Sequence, residues 1–128
     1  MKKMKFFCFG NPLVKQDSLP ILLISELNKA FPEIEFIEAE SPEDLEGESE
    51  INIIDTAEGI DRVREINLDD LKDHKCCSLH DFDLSMSLKL MQKLGRLKKI
   101  MIIGIPLKYT KKKALSELKE KISEVISN

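Results

Sequence analysis

Apolar and polar positions along this 128-residue chain repeat with two different periods, and each change of period marks a predicted element. Met4 to Phe9 is a short β-prone run that gives way to the turn-forming Gly10-Asn11-Pro12. From Ser18 to Phe31, Ile21, Leu22, Leu23, Ile24, Leu27 and Ala30 cover much of a helical circumference, predicting a well-buried helix. Asp17 or Ser18 can cap it, Pro20 is tolerated in its first turn, and Pro32 ends it. Ile34, Phe36 and Ala39 alternate with Glu33, Glu35 and Glu38, the period-two pattern of an outer strand with one wet face. Pro42-Glu43-Asp44-Leu45 predicts a short helical turn. Ile51 to Asp55 is almost uniformly apolar, as expected of a buried central strand.

The second half continues the alternation. Arg62 to Leu68 predicts a strand pairing antiparallel at an edge, and Cys76 to Leu79 a very short one. Leu84, Leu88, Met91 and Gly95 share one helical stripe, with Asp83 as N-cap and Gly95 near the helix end. Ile100 to Ile105 is another buried strand, stopped by Pro106. Lys111 to Ser127 predicts an amphipathic helix whose apolar face is Leu115, Leu118, Ile122 and Val125 or Ile126. Strands alternating with helices imply an α/β fold: a three-layer, doubly wound, mostly parallel twisted sheet with helices on both faces, in one domain over residues 1–128. No repeat or linker interrupts it.

Composition narrows the class. Hydrophobic residues at 42% and charged residues at 34% describe an ordinary globular chain, long enough for one sizeable core without disulfides. A net charge of −3 argues against a general nucleic-acid binder. No apolar run approaches the length that crosses a bilayer, so no membrane partner is expected. The apolar part of Met1 to Gly10 is too short for a signal peptide, which leads to the expectation of a cytoplasmic protein. Cys8, Cys76 and Cys77 lack CxxC spacing and imply neither a zinc site nor a disulfide, and Cys8 reads as a small core hydrophobe. From Glu33 to Glu50 acids occur without a base, while Lys89 to Lys121 is lysine-rich; solvated faces or a docking surface would both produce this.

Three strand-like runs lead to residues able to bind a metal: Asp17, Asp55 and His80. Carboxyl ends of parallel strands border the crevice where open α/β sheets bind ligands. Asp17 reads as a helix cap or a ligand. Asp55 closes a buried run, where a carboxylate needs a cation, a metal or several donors, or else serves a turn with Thr56. His80 precedes Asp81, which can orient its ring, and a structural histidine is the alternative. Together the three form an oxygen-and-nitrogen set suited to nickel, zinc or manganese rather than copper(I). Gly10-Asn11 opens neither GxGxxG nor GxxxxGK[ST], and GxSxG is absent, so nucleotide and serine-hydrolase chemistries lack their motifs.

The order of these residues resembles the hydrogenase maturation protease family. The family opening, a strand, Gly-Asn, an apolar pair, two variable residues and an acidic pair, is similar to Phe9-Gly10-Asn11-Pro12-Leu13-Val14-Lys15-Gln16-Asp17-Ser18. Its middle strand ending in aspartate matches Ile53-Ile54-Asp55-Thr56, and its histidine between strand and helix matches Ser78-Leu79-His80-Asp81. Ile102-Ile103-Gly104-Ile105-Pro106 is similar to a segment that carries Gly-x-x-Pro in the family, here one residue shorter. Gln16 stands in place of the first acid, and Ser18-Leu19-Pro20 in place of a glycine-rich continuation.

The resemblance implies an endopeptidase that trims the C-terminal extension of a nickel-iron hydrogenase large-subunit precursor once nickel is inserted. Asp17, Asp55 and His80 would be its catalytic and metal-contacting residues, with Gly10, Asn11 and Asp81 shaping or orienting the site. The nickel would arrive with the precursor, so no cofactor of its own is expected. A monomer is the simplest oligomeric expectation.

Overall fold

The apolar runs lie side by side in one sheet. The computed structural model describes residues 3–10, 13, 18–69, 78–79 and 82–127. Its strands are β1 (Met4–Phe9), β2 (Ile34–Ala39), β3 (Glu50–Glu58), β4 (Arg64–Ile66), β5 (Ser78–Leu79) and β6 (Lys99–Pro106). They are ordered β2-β1-β3-β6-β4, with β5 beside β3. β1 runs parallel to β2 and β3, and β3 parallel to β6; β4 and β5 pair antiparallel. The region from Arg62 to Leu68 thus supplies the expected antiparallel edge, as a shorter strand.

The pleat sorts side chains into two cores. Phe6, Cys8, Ile34, Phe36, Ile54, Ile103 and Ile105 face one layer, made by α1 (Leu19–Leu22), α2 (Ile24–Ala30) and α4 (Lys111–Ser127). Phe7, Phe9, Ile51, Ile53, Ala57 and Ile102 face the other, covered by the 3₁₀ turn Pro42–Leu45 and by α3 (Phe82–Lys93). Full burial of a leucine such as Leu88 or Leu118 contributes roughly 1.5–3 kcal/mol over leaving it exposed. Helices on both faces give the three-layer doubly wound arrangement. Among the described residues no helix is long and apolar enough to cross a membrane.

Several local expectations change. The helix expected over Ser18 to Phe31 is two, broken at the fully buried Leu23, where ψ relaxes to −7°. Both halves bury the same side, so the apolar pattern carries no trace of the break. Ala39 shares its phase with Ile37 and faces the layer opposite Ile34 and Phe36. Asp83 is inside the first turn of α3 rather than at its cap. On α4 the buried stripe is Ala114, Leu118 and Ile122, while Ile126 is exposed. Gly95 does end α3: at φ 74° it lets its own N–H bond Gln92 O and the Arg96 N–H bond Met91 O, the paired bonds of a Schellman cap.

Candidate functional site

The chain leaves β1 through α1 and α2 over one face, then reaches β3 from β2 over the other. The topology therefore reverses between β1 and β3, and the carboxyl ends of those two strands frame the crevice. The β1–β3 register pairs are Phe7–Ile53 and Cys8–Ile54, and β1 ends at Phe9. β3 continues to Glu58, so Asp55 is not its last residue, as its composition suggested. On the other side β6 follows β3 unbroken to the Ala57–Pro106 pair. That leaves β5 on the β1 side, where Leu79 pairs with Ala57. Asp55 and Thr56 thus lie where β1 ends, just beyond the Leu79 end of β5.

Asp55 is only 1% exposed. The Thr56 N–H donates to its Oδ1 at 2.8 Å, and this is not the residue's only interaction. Removing an ionised carboxylate from water costs several kcal/mol, which partners must offset. Across the sheet Asp55 is in register with Gly104 of β6, and Gly104 with Arg64 of β4. A Cβ on Gly104 would collide with Ile66 Cδ1 and come to 3.1 Å from both Ala57 Cβ and Ile60 Cδ1. The glycine lets these apolar groups close over the row that holds Asp55.

Of the three candidate ligands, Asp55 is among the described residues; Asp17 and His80 lie outside them, as do Asn11 and Asp81. Gly10 is half-buried and leaves the end of β1. Ser18, next after Asp17 in sequence, is buried at the N-cap position of α1, where its side chain makes no cap bond. Leu19 and Pro20, which follow, are buried too. Leu79 is buried, and β5 runs antiparallel to β3 in the direction of Asp55. Among the described residues no three His, Cys, Asp or Glu side chains cluster as a metal site. Cys8 is in the core, where burial pushes its thiol up to about 12, an environment that opposes a nucleophilic thiolate. Cys76 and Cys77 lie outside the described residues.

Sequence reasoning named Thr56 only as a turn partner of Asp55, where it is fully buried, and missed the packing role of Gly104. A glycine inside the apolar run Ile102 to Ile105 was the available signal for close approach. It also missed a polar clamp on the far side of the sheet. Tyr109 Oη lies 2.9 and 3.0 Å from the two Glu117 carboxylate oxygens and 3.0 Å from Asp61 O, sharing its proton among them. The Val63 N–H donates to Glu117 Oε1 at 3.0 Å, and Lys113 Nζ stands 4.7 Å from the Tyr109 ring centroid. Desolvation, followed by the Glu117 carboxylate, holds the Tyr109 hydroxyl above its ordinary value.

No family model and no curated protein sequence matches the chain. Solved structures do. An uncharacterized protein from Wolinella succinogenes is similar over 98% of this chain and 98% of its own, with TM-score 0.61 and 18% identity. The hydrogenase 3 maturation protease gives TM-score 0.63 at 18% identity, covering 91% of this chain and 87% of its own. The endopeptidase HycI from Escherichia coli gives 0.61 at 17%, covering 94% and 90%. At such identities the likeness is one of fold. The chain has the α/β fold of the hydrogenase maturation proteases, over nearly its whole length.

Proposed function

We propose that the chain is an endopeptidase that removes the C-terminal extension of a nickel-iron hydrogenase large-subunit precursor after nickel insertion, recognising the metal that the precursor carries. The observation that carries this reading is Asp55, a carboxylate almost wholly withdrawn from water at the strand-end crevice of a fold shared with such proteases. Two sequence neighbours support it. Asp17 directly precedes Ser18, buried where α1 begins, and His80 directly follows Leu79, on the strand directed toward Asp55.

In this reading Asp17, Asp55 and His80 form an incomplete coordination shell. Two carboxylates and an imidazole bind weakly until the precursor's nickel, still holding the precursor's own ligands, completes the set. A metal-free precursor lacks that bridging contact and is left uncut. The near-complete burial of Asp55 strengthens the attraction between its carboxylate and an arriving cation. The chain needs no cofactor of its own and works as a cytoplasmic monomer.

A second reading has its own motivation. Leu19 and Pro20 are buried where the resembling family carries glycines, and Gln16 lacks the first acid, features that suit a non-cutting assembly factor. Incubation with nickel-loaded and metal-free precursor decides between the two by the mass of the large subunit. Trimming of the loaded form alone supports the protease. Binding without trimming, under conditions where HycI cuts its own substrate, would replace it with the assembly factor.

A further inference from the structure

The connection from β2 to β3 crosses the sheet with one 3₁₀ turn, and Leu45 is its fully buried plug. So slight a crossover leaves one flank of α3 uncovered. A groove of ≈ 620 Å³ results, walled by Ser87, Leu90, Met91 and Arg96 on one side and by Glu43 and Glu46 on the other. Along and just past α3, Met86, Leu90 and Leu94 are each at least half exposed. Their spacing of four sets them on one ridge beside the groove. Ser49 lines the groove and adjoins Glu50 at the start of β3, five residues before Asp55 and so about 17 Å away along the strand.

Charge on the crossover side of the rim is acidic throughout, and Arg96, on the α3 side, is the one basic residue of the lining. Every charged residue from Glu33 to Glu50 is acidic. Some of these carboxylates are engaged: Asp44 Oδ2 accepts from the Glu40 and Ser41 N–H groups at 2.8 and 3.2 Å, and Glu48 lies 3.9 Å from Lys5. Glu43 and Glu46 have no ion-pair partner among the described residues. The Ser41 hydroxyl and its own backbone hold the Glu43 carboxyl below its ordinary value, keeping it ionised near neutrality.

We infer that this groove docks a short cationic, amphipathic segment of a partner protein, its apolar side chains on Leu90 and Met91 and its lysines or arginines against Glu43 and Glu46. Three half-exposed side chains and one groove wall fall well short of the ~800 Å² per partner typical of a stable interface, which favours a short segment over a second copy of the chain. The inference does not depend on the protease reading, because Asp55 and Thr56 are not among the residues that line the groove.

Fluorescence anisotropy with labelled peptides tests it on the intact protein. A short amphipathic leucine–lysine peptide is expected to bind, and to bind less tightly as salt is raised. A matched leucine–glutamate peptide and a lysine–serine peptide of equal charge should each bind about tenfold more weakly or worse. Leu90→Ser and the double change Glu43→Lys, Glu46→Lys alter exposed positions, and each should cost about tenfold, while Asp55→Asn leaves peptide binding unchanged. Equal binding of the glutamate or serine peptide would overturn the inference, as would wild-type affinity in both groove variants. Sedimentation showing a dimer that Leu90→Ser dissolves would also overturn it, assigning the groove to a second copy.

Discussion

Asp55 and Glu117 are both carboxylates drawn back from the surface, and the fold holds them in different ways. Glu117 projects from α4 and fastens it to the segment before β4: Val63 N–H and Tyr109 Oη reach its oxygens from separate parts of the chain. Asp55 sits deeper, within the sheet, and takes a bond from the N–H of its own neighbour, Thr56. The first is a fastener on the flank of the sheet. The second lies where β1 stops, just beyond the Leu79 end of β5, at the reversal of strand order. Burial of an acid therefore says little alone; topology separates a structural carboxylate from one placed to meet a ligand.

The sharpest way to break this contrast is to neutralise Asp55. Asp55→Asn should lower precursor trimming by about 100-fold or more with a nearly unchanged urea midpoint, read by large-subunit mass and circular dichroism. Undiminished trimming in a folded variant would reduce Asp55 to another fastener. Gly104→Ala should cost roughly 1–3 kcal/mol in urea unfolding, because the added methyl drives into Ile66 and Ala57 beside the same carboxylate.

Cys8 isolates burial from position. Its folded thiol is raised from 9.0 to about 12, so the folded state keeps a proton that the unfolded chain releases above pH 9. The related stability is fully present below pH 9 and falls as pH rises toward 12, by up to about 1.4 kcal/mol per unit. The fall should be smaller in Cys8→Ala, measured by urea midpoints at pH 8 and pH 10. The smallest effect belongs to the fastener: Tyr109→Phe should cost about 0.5–1.5 kcal/mol and leave trimming unchanged.

How much of this was legible depends on whether the cause was local. The boundaries of α4 match the Lys111 to Ser127 expectation, because an apolar stripe in a polar helix repeats along its whole length. β3 was legible as a buried run, yet its end was not. Apolarity stops at Asp55, whereas the strand continues through pairing with Ile105, Pro106 and Leu79, none of them near in sequence. The Tyr109–Glu117 clamp joins residues eight apart to Asp61 and Val63, and no periodicity encodes that meeting. For the site, Asp55 alone demanded an explanation on local grounds. Asp17 and His80 drew their roles from the order of motifs.

Both borders of the sheet are poor places to add a strand. On β2, Glu35 and Glu38 are exposed, and at the opposite border β4 offers only Arg64–Ile66. Short or charged edges resist pairing with a foreign backbone. An extended tail entering this protein would thus gain little from β-augmentation, the sequence-tolerant mode in which main-chain bonds carry affinity. Selectivity then falls to side chains and to whatever the tail presents at the strand ends.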